Sequence, residues 1–151
     1  LKFGEIIMLA NRVDISDNSA LYTLQLPSRL DSLTTVENFI DSLKEHYQIG
    51  EDVYGNMLTC LSEATINAIV HGNKEDENKK VYINLEVQEG KRLVFTIADE
   101  GEGYDYNHLP DPTAPENIEN LTGRGVFIIK HLADQCIFNS KGNEIELHFK
   151  I

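Results

Sequence analysis

The sequence predicts an α/β fold, a two-layer sandwich in which a mixed, mostly antiparallel sheet carries its helices on one face. Three observations predict it. Two helical hydrophobic stripes follow one another in the first half. An alternating apolar pattern then folds back on itself around Glu89-Gly90-Lys91, and a third helix runs into two closing strands. The order β, α, α, β, β, α, β, β lacks the regular strand-helix alternation of a doubly wound parallel sheet. At 151 residues the chain has the length of one domain, placed at residues 19–151 behind an N-terminal extension at 1–18.

Leu21, Leu24 and Leu26, ending at Pro27, mark the opening strand at 19–26. Leu33, Val36, Phe39, Ile40, Leu43 and Tyr47 then share one 3.6-residue stripe. This predicts a helix with Ser32 or Thr34 as N-cap and Gly50 as its stop. A second helix at about 51–71 is expected to close on Gly72 in the left-handed conformation. Val81, Ile83, Leu85 and Val87 alternate with polar residues, and 93–98 is nearly continuous apolar, which reads as a hairpin. The third helix is expected at 125–133 and a strand at 136–138. After a turn at Lys141-Gly142-Asn143, a closing strand alternates Ile145, Leu147, Phe149 and Ile151.

With 41% hydrophobic and 25% charged residues, the composition argues against a disordered chain, a collagen-like fibre and a membrane protein. Thirteen basic residues against 25 acidic give a net charge of −12, which argues against a broad electrostatic grip on nucleic acid or an anionic membrane. An anionic ligand must therefore be held locally, by backbone N–H groups, a metal ion or a few cations. Residues 1–10 have no convincing cleavage site and do not read as a signal peptide. Cys60 and Cys136 lie too far apart for a CxxC motif and are expected to be small buried hydrophobes in a reducing cytoplasm.

Three segments can carry chemistry. Glu63, Asn67 and His71 are spaced i, i+4, i+8 and form one polar line on an otherwise apolar helix. Such a line is either a solvated stripe or a general base beside a magnesium ligand, the acid taking a proton and the amide oxygen holding a hard cation. Asp99-Glu100-Gly101-Glu102-Gly103 follows the apolar strand. It is either an acidic glycine turn or a fixed carboxylate at a cleft edge, with glycines that let a flat ligand approach. Thr122-Gly123-Arg124-Gly125 opens the third helix, as a hinge or as a phosphate seat of free N–H groups and positive dipole. Between Asp99 and Asn120 lie seven acidic residues and no Lys or Arg. A polyphosphate there needs a divalent cation and helix N–H groups to offset repulsion.

Taken in order, Glu63-x-x-x-Asn67-x-x-x-His71-Gly72-Asn73, Asp99-x-Gly101-x-Gly103-Tyr104-Asp105 and Gly123-Arg124-Gly125 resemble the N, G1 and G2 boxes of the GHKL, or histidine-kinase-like, ATPase superfamily. That superfamily has the Bergerat fold. Pro110-Asp111-Pro112 and Pro115-Glu116-Asn117 resemble its anti-sigma-factor serine/threonine kinase (RsbW-like) branch, and the likeness spans nearly the whole chain. The resemblance implies ATP and Mg²⁺ as ligands. Glu63 would be the catalytic base, Asn67 the magnesium ligand and Asp99 the acceptor for the adenine amino group. Gly101 and Gly103 would flank the base, and Thr122, Gly123, Arg124 and Gly125 would line the phosphates.

The implied reaction is γ-phosphoryl transfer to a STAS-type anti-sigma-factor antagonist. It implies a sigma factor as the competing partner, a homodimer and a cytoplasmic location, with neither nucleic acid nor membrane as partner. The chain departs from many relatives where Gly142-Asn143-Glu144-Ile145 stands in place of a Gly-Thr-x-Val element, and His71 reads as structural rather than catalytic. A nucleotide-binding regulatory module without phosphotransfer, or the catalytic domain of a histidine kinase, are the alternatives.

Overall fold

Alternation along the strands decides which face of the sheet is dry. The computed structural model describes residues 11–16, 19–106, 113 and 123–151. Strands β1 (Asn11–Ser16), β2 (Ser19–Pro27), β3 (Lys80–Gln88), β4 (Arg92–Ala98), β5 (Gln135–Phe138) and β6 (Glu144–Lys150) form one sheet in the order β1-β2-β3-β4-β6-β5. Leu24, Ile83, Phe95 and Leu147 point to one face and are all buried. Gln25, Asn84 and Glu86 on the other face are exposed. Helices α1 (Ser32–Tyr47), α2 (Glu51–Ile66) and α3 (Arg124–Leu132) close the dry face with Phe39, Leu43, Met57, Leu61 and Ile129. Phe95 and Phe149 meet edge to face with ring centroids 6.1 Å apart.

Every neighbouring pair of described strands is antiparallel, so the parallel component expected of a mixed sheet is absent from the described ladder. The reason is a strand inserted into a crossover. β4 and β5, joined through α3, run in the same direction, but β6 enters between them and pairs antiparallel with both. The hairpin turn is as predicted. Glu89 and Gly90 have φ of 54° and 63°, and the Lys91 N–H donates to the Gln88 carbonyl at 2.9 Å, the pattern of a type I′ turn. Strand β1 pairs with β2 and lies within the stretch read from sequence as an extension.

Several helix ends differ from the sequence expectation. The N-cap of α1 is Asp31; the Ser32 hydroxyl instead donates back to the Pro27 carbonyl at 2.8 Å, tying the helix to the strand before it. Gln48, with φ of 53°, takes the left-handed position that ends α1, and Gly50 is the extended N-cap of α2. Gly72 does not adopt positive φ. It is required for another reason: a side chain there would run into the Asp99 carboxylate. The helix predicted to reach residue 71 is α-helical only to Ile66. It continues as a wider π-helical turn, Asn67–Gly72.

Cys60 is buried and Cys136 half-buried, both as free thiols. Burial pushes them up to about 12 and about 11, so neither is a ready nucleophile near neutral pH. None of the described helices is long and apolar enough to cross a membrane. Thr65 is fully buried on α2, and its hydroxyl has no hydrogen-bond partner among the described residues. Thr65→Val, which keeps the shape and removes the stranded hydroxyl, is expected to stabilise the domain by about 1 kcal/mol. That raises the thermal midpoint by roughly 2–4 °C in a chain of this size. A lower midpoint in a melting scan would mean that the hydroxyl is satisfied.

Candidate functional site

The C-terminal end of β4, the end of α2 with its π-turn, and the start of α3 enclose an open cleft of about 470 Å³. Its walls include Glu63, Asn67, Asp99, Gly103, Gly123, Arg124 and Gly125, so seven of the nine residues singled out from sequence meet on one surface. Gly101 stands behind that surface: a side chain there would strike the Gly72 carbonyl. Thr122 lies outside the described residues, as do Pro110, Asp111, Pro112, Pro115, Glu116 and Asn117. His71 is exposed at the cleft rim.

Asp99 is fixed from three sides. Its backbone N–H donates to the Asn143 carbonyl at 2.9 Å, the Asn143 side-chain amide donates to the Asp99 carbonyl at 3.0 Å, and its own Oδ1 accepts from the Gly101 N–H at 2.8 Å. Burial is the main influence on its carboxyl and raises its pKa above the ordinary aspartate value. The Gly101 hydrogen bond, Lys141 and Lys79 pull the other way. A carboxylate held in a partly dry slot is poised to accept a hydrogen bond from a ligand N–H.

The wall beside Asp99 depends on Asn73, which is wholly buried. Its side-chain amide donates to Ser28 Oγ at 2.8 Å and to the Lys80 carbonyl at 3.0 Å, and its Oδ1 accepts from the Glu100 N–H at 2.8 Å. Its backbone N–H closes the π-turn on the Ala68 carbonyl at 2.8 Å. One side chain therefore ties the end of the helix to β3, to the loop after β4 and to the loop before α1. Asn73→Ala would strand several buried partners and is expected to cost about 2–4 kcal/mol, read as a lowered denaturant midpoint. A change below 0.5 kcal/mol would refute the role.

A second fixed point joins the loop after Asp99 to the turn before β6. Gly103 and Gly142 have φ of 89° and 78°, and each packs its α-carbon against the other segment's backbone, Gly103 on the Lys141 carbonyl and Gly142 on the Tyr104 carbonyl. The Tyr104 N–H donates to the Gly142 carbonyl at 3.1 Å. Asn139 Oδ1 shapes the turn by accepting from the N–H groups of Gly142, Asn143 and Glu144 at 2.8, 3.1 and 3.2 Å. From sequence, Asn73 stands only as the end of the first motif, and Gly142 and Asn143 only as the departure from a Gly-Thr-x-Val element; none has a site role there, and Asn139 is not read at all. The asparagines at both ends of Asn139-Ser140-Lys141-Gly142-Asn143 are the signal that would have marked the turn.

At the other end of the cleft, Gly123, with φ of 85°, is the N-cap of α3. Gly125 lies in the first turn, where an added Cβ would stand 2.6 Å from Glu63 Oε2 and 3.6 Å from the Asn67 amide nitrogen. The glycine thus lets the helix start close on Glu63 and Asn67, and the first-turn N–H groups with the helix dipole favour an anion there. Glu63 and Asn67 offer hard oxygen donors one turn apart. The described residues contain no cluster of three or more His, Cys, Asp or Glu side chains able to hold a metal. The donor set suits Mg²⁺ taken mainly by ligand phosphates and water, with one protein oxygen, rather than a protein cage.

An α/β sandwich with a carboxylate at one end of its cleft and a glycine-opened helix at the other defines a nucleotide-binding class. The histidine kinase-like ATPase domain family matches residues 26–149. The serine-protein kinase RsbW of Bacillus subtilis is 24% identical over 127 residues, covering 80% of this chain and 79% of that protein. An anti-sigma F factor of Anoxybacillus flavithermus is 30% identical over 128 residues, covering 83% and 72%. An RsbW of Staphylococcus aureus is 33% identical over 96 residues, covering 58% and 60%. The chain belongs to the histidine kinase-like ATPase family, in its RsbW-like branch.

Proposed function

We propose that this domain is an ATP-dependent protein serine/threonine kinase and anti-sigma factor. It would phosphorylate a STAS-type anti-sigma-factor antagonist and hold a sigma factor in alternation with it, as a cytoplasmic homodimer. The observation that carries the reading is the pairing of the two cleft ends: a half-buried aspartate on one side, and a glutamate beside a helix N-terminus on the other. In this reading the Asp99 carboxylate accepts the hydrogen bond of the adenine amino group. Gly101 and Gly103 keep side chains away from the base. The N–H groups at Gly123, Arg124 and Gly125, with the Arg124 guanidinium and Thr122, take the phosphate side.

Glu63 accepts the proton of the attacking hydroxyl as its oxygen bonds to the γ-phosphorus and the bond to the ADP oxygen breaks. Mg²⁺ bound through Asn67 and the phosphates would neutralise charge on the transferring group. The protein's share would be positioning, and with a net charge of −12 the anion contact would fall to local N–H groups rather than to a broad positive surface. The test is transfer of radiolabel from γ-labelled ATP to a STAS protein encoded beside this chain, run together with co-purification of a sigma factor. Labelling on serine or threonine supports the kinase. Sigma binding without labelling would make the domain a binding module instead.

A further inference from the structure

A second, much smaller space adjoins the cleft at Asp99, and an aromatic side chain stands between the two. Ala64, Ala68, Ile97, Val126 and Ile145 form an apolar slot leading to Asp99, the environment a flat base would need, yet its free volume is only about 20 Å³. That is room for about one water molecule, and a purine needs several times more. Tyr106 and Phe138 both line this slot, and their rings are stacked with centroids 4.0 Å apart and planes 14° from parallel. Tyr106 also lines the open part of the cleft, so its ring stands where the two spaces meet. Burial, with a smaller contribution from Asp99, raises its phenol pKa, consistent with a ring drawn inward beside the carboxylate.

We infer that Tyr106 is an internal occupant of the base slot: stacked on Phe138, its ring fills the narrow slot beside Asp99, so a nucleotide base that meets the carboxylate from the open cleft must displace the ring to be seated there. The inference rests on the nucleotide reading of the cleft and adds that entry of the base is opposed by this chain's own aromatic residue. Nucleotide affinity is then lowered by whatever stabilises the Tyr106–Phe138 stack, because the fraction of molecules with an open slot scales the observed constant. An aromatic pair of this kind is expected to shift binding roughly two- to tenfold.

The test is calorimetric titration of ADP into the wild type, Tyr106→Ala and Tyr106→Phe, with Asp99→Ala as the site control. Tyr106→Ala is expected to bind two- to tenfold more tightly and Tyr106→Phe like the wild type, since the stack needs the ring and not the hydroxyl. Unchanged or weaker binding by Tyr106→Ala, with Asp99→Ala abolishing it, would overturn the occupant and leave the nucleotide reading standing. Failure of both wild type and Tyr106→Ala to bind ADP would overturn both. A second readout is free of any mutation: the nuclear Overhauser contact between the Tyr106 and Phe138 rings should vanish on saturation with ADP, and its persistence would refute the displacement.

Discussion

Asp99→Asn is expected to weaken ATP binding roughly 10- to 100-fold while making the empty domain more stable. The affinity loss follows from replacing the charged acceptor proposed for the adenine amino group, a hydrogen bond of about 1.5–3 kcal/mol. The stability gain follows from the raised pKa of Asp99, whose main cause is burial. A carboxyl with a folded-state pKa above its unfolded value favours folding only while it is protonated. Stability from this group is fully present below the unfolded value, near 4, and is lost as pH rises through the raised folded value.

Asparagine is neutral throughout and keeps an oxygen for the Gly101 N–H, which Oδ1 now accepts at 2.8 Å. The mutant and wild type should therefore melt together below about pH 4, and the mutant should melt higher above the window. Melting curves from pH 3 to 8, beside nucleotide titrations at pH 7, separate the two effects. A mutant less stable than the wild type at neutral pH would show that the charged carboxylate supports the fold, and retained affinity would remove Asp99 from the base-binding role.

What the sequence made legible was whatever rests on short-range periodicity. Alternation at Val81, Ile83, Leu85 and Val87 placed the hairpin, and Glu89-Gly90 placed its turn. The stripe of Val36, Phe39, Ile40 and Leu43 placed the first helix face. The polar line from Glu63 to Asn67 showed the cleft-facing side of α2. Features set by distant partners were not legible. Gly72 is small because Asp99 approaches it across the sheet end, a reason no local rule contains, and the helix-end rule supplied a wrong one. The role of Asn73 depends on Ser28 and Glu100, 45 and 27 residues away. Insertion of β6 between β4 and β5 is a matter of sheet order, which alternation leaves open.

Glu63→Gln tests the chemistry apart from the binding. The substitution keeps the size and planarity of a side chain pressed against the first turn of α3, where Gly125 leaves it space, so the cleft should keep its shape. What changes is that an amide does not accept the proton of an attacking hydroxyl. A positioned general base contributes typically 10²–10⁴-fold, so phosphotransfer to the proposed STAS antagonist should fall by about that factor with ATP affinity nearly unchanged. Removing a negative charge beside the proposed phosphate seat reduces repulsion of the nucleotide, so any change in affinity should be toward tighter binding. Single-turnover transfer with the mutant saturated by ATP measures the step directly. A wild-type rate would exclude Glu63 as the base, while a slow rate accompanied by lost ATP binding would assign it to the binding of the phosphates instead. If the rate falls and affinity holds, Glu63 acts on the hydroxyl, and the close approach of α3 that Gly125 permits is what puts the base and the phosphate seat within reach of one substrate.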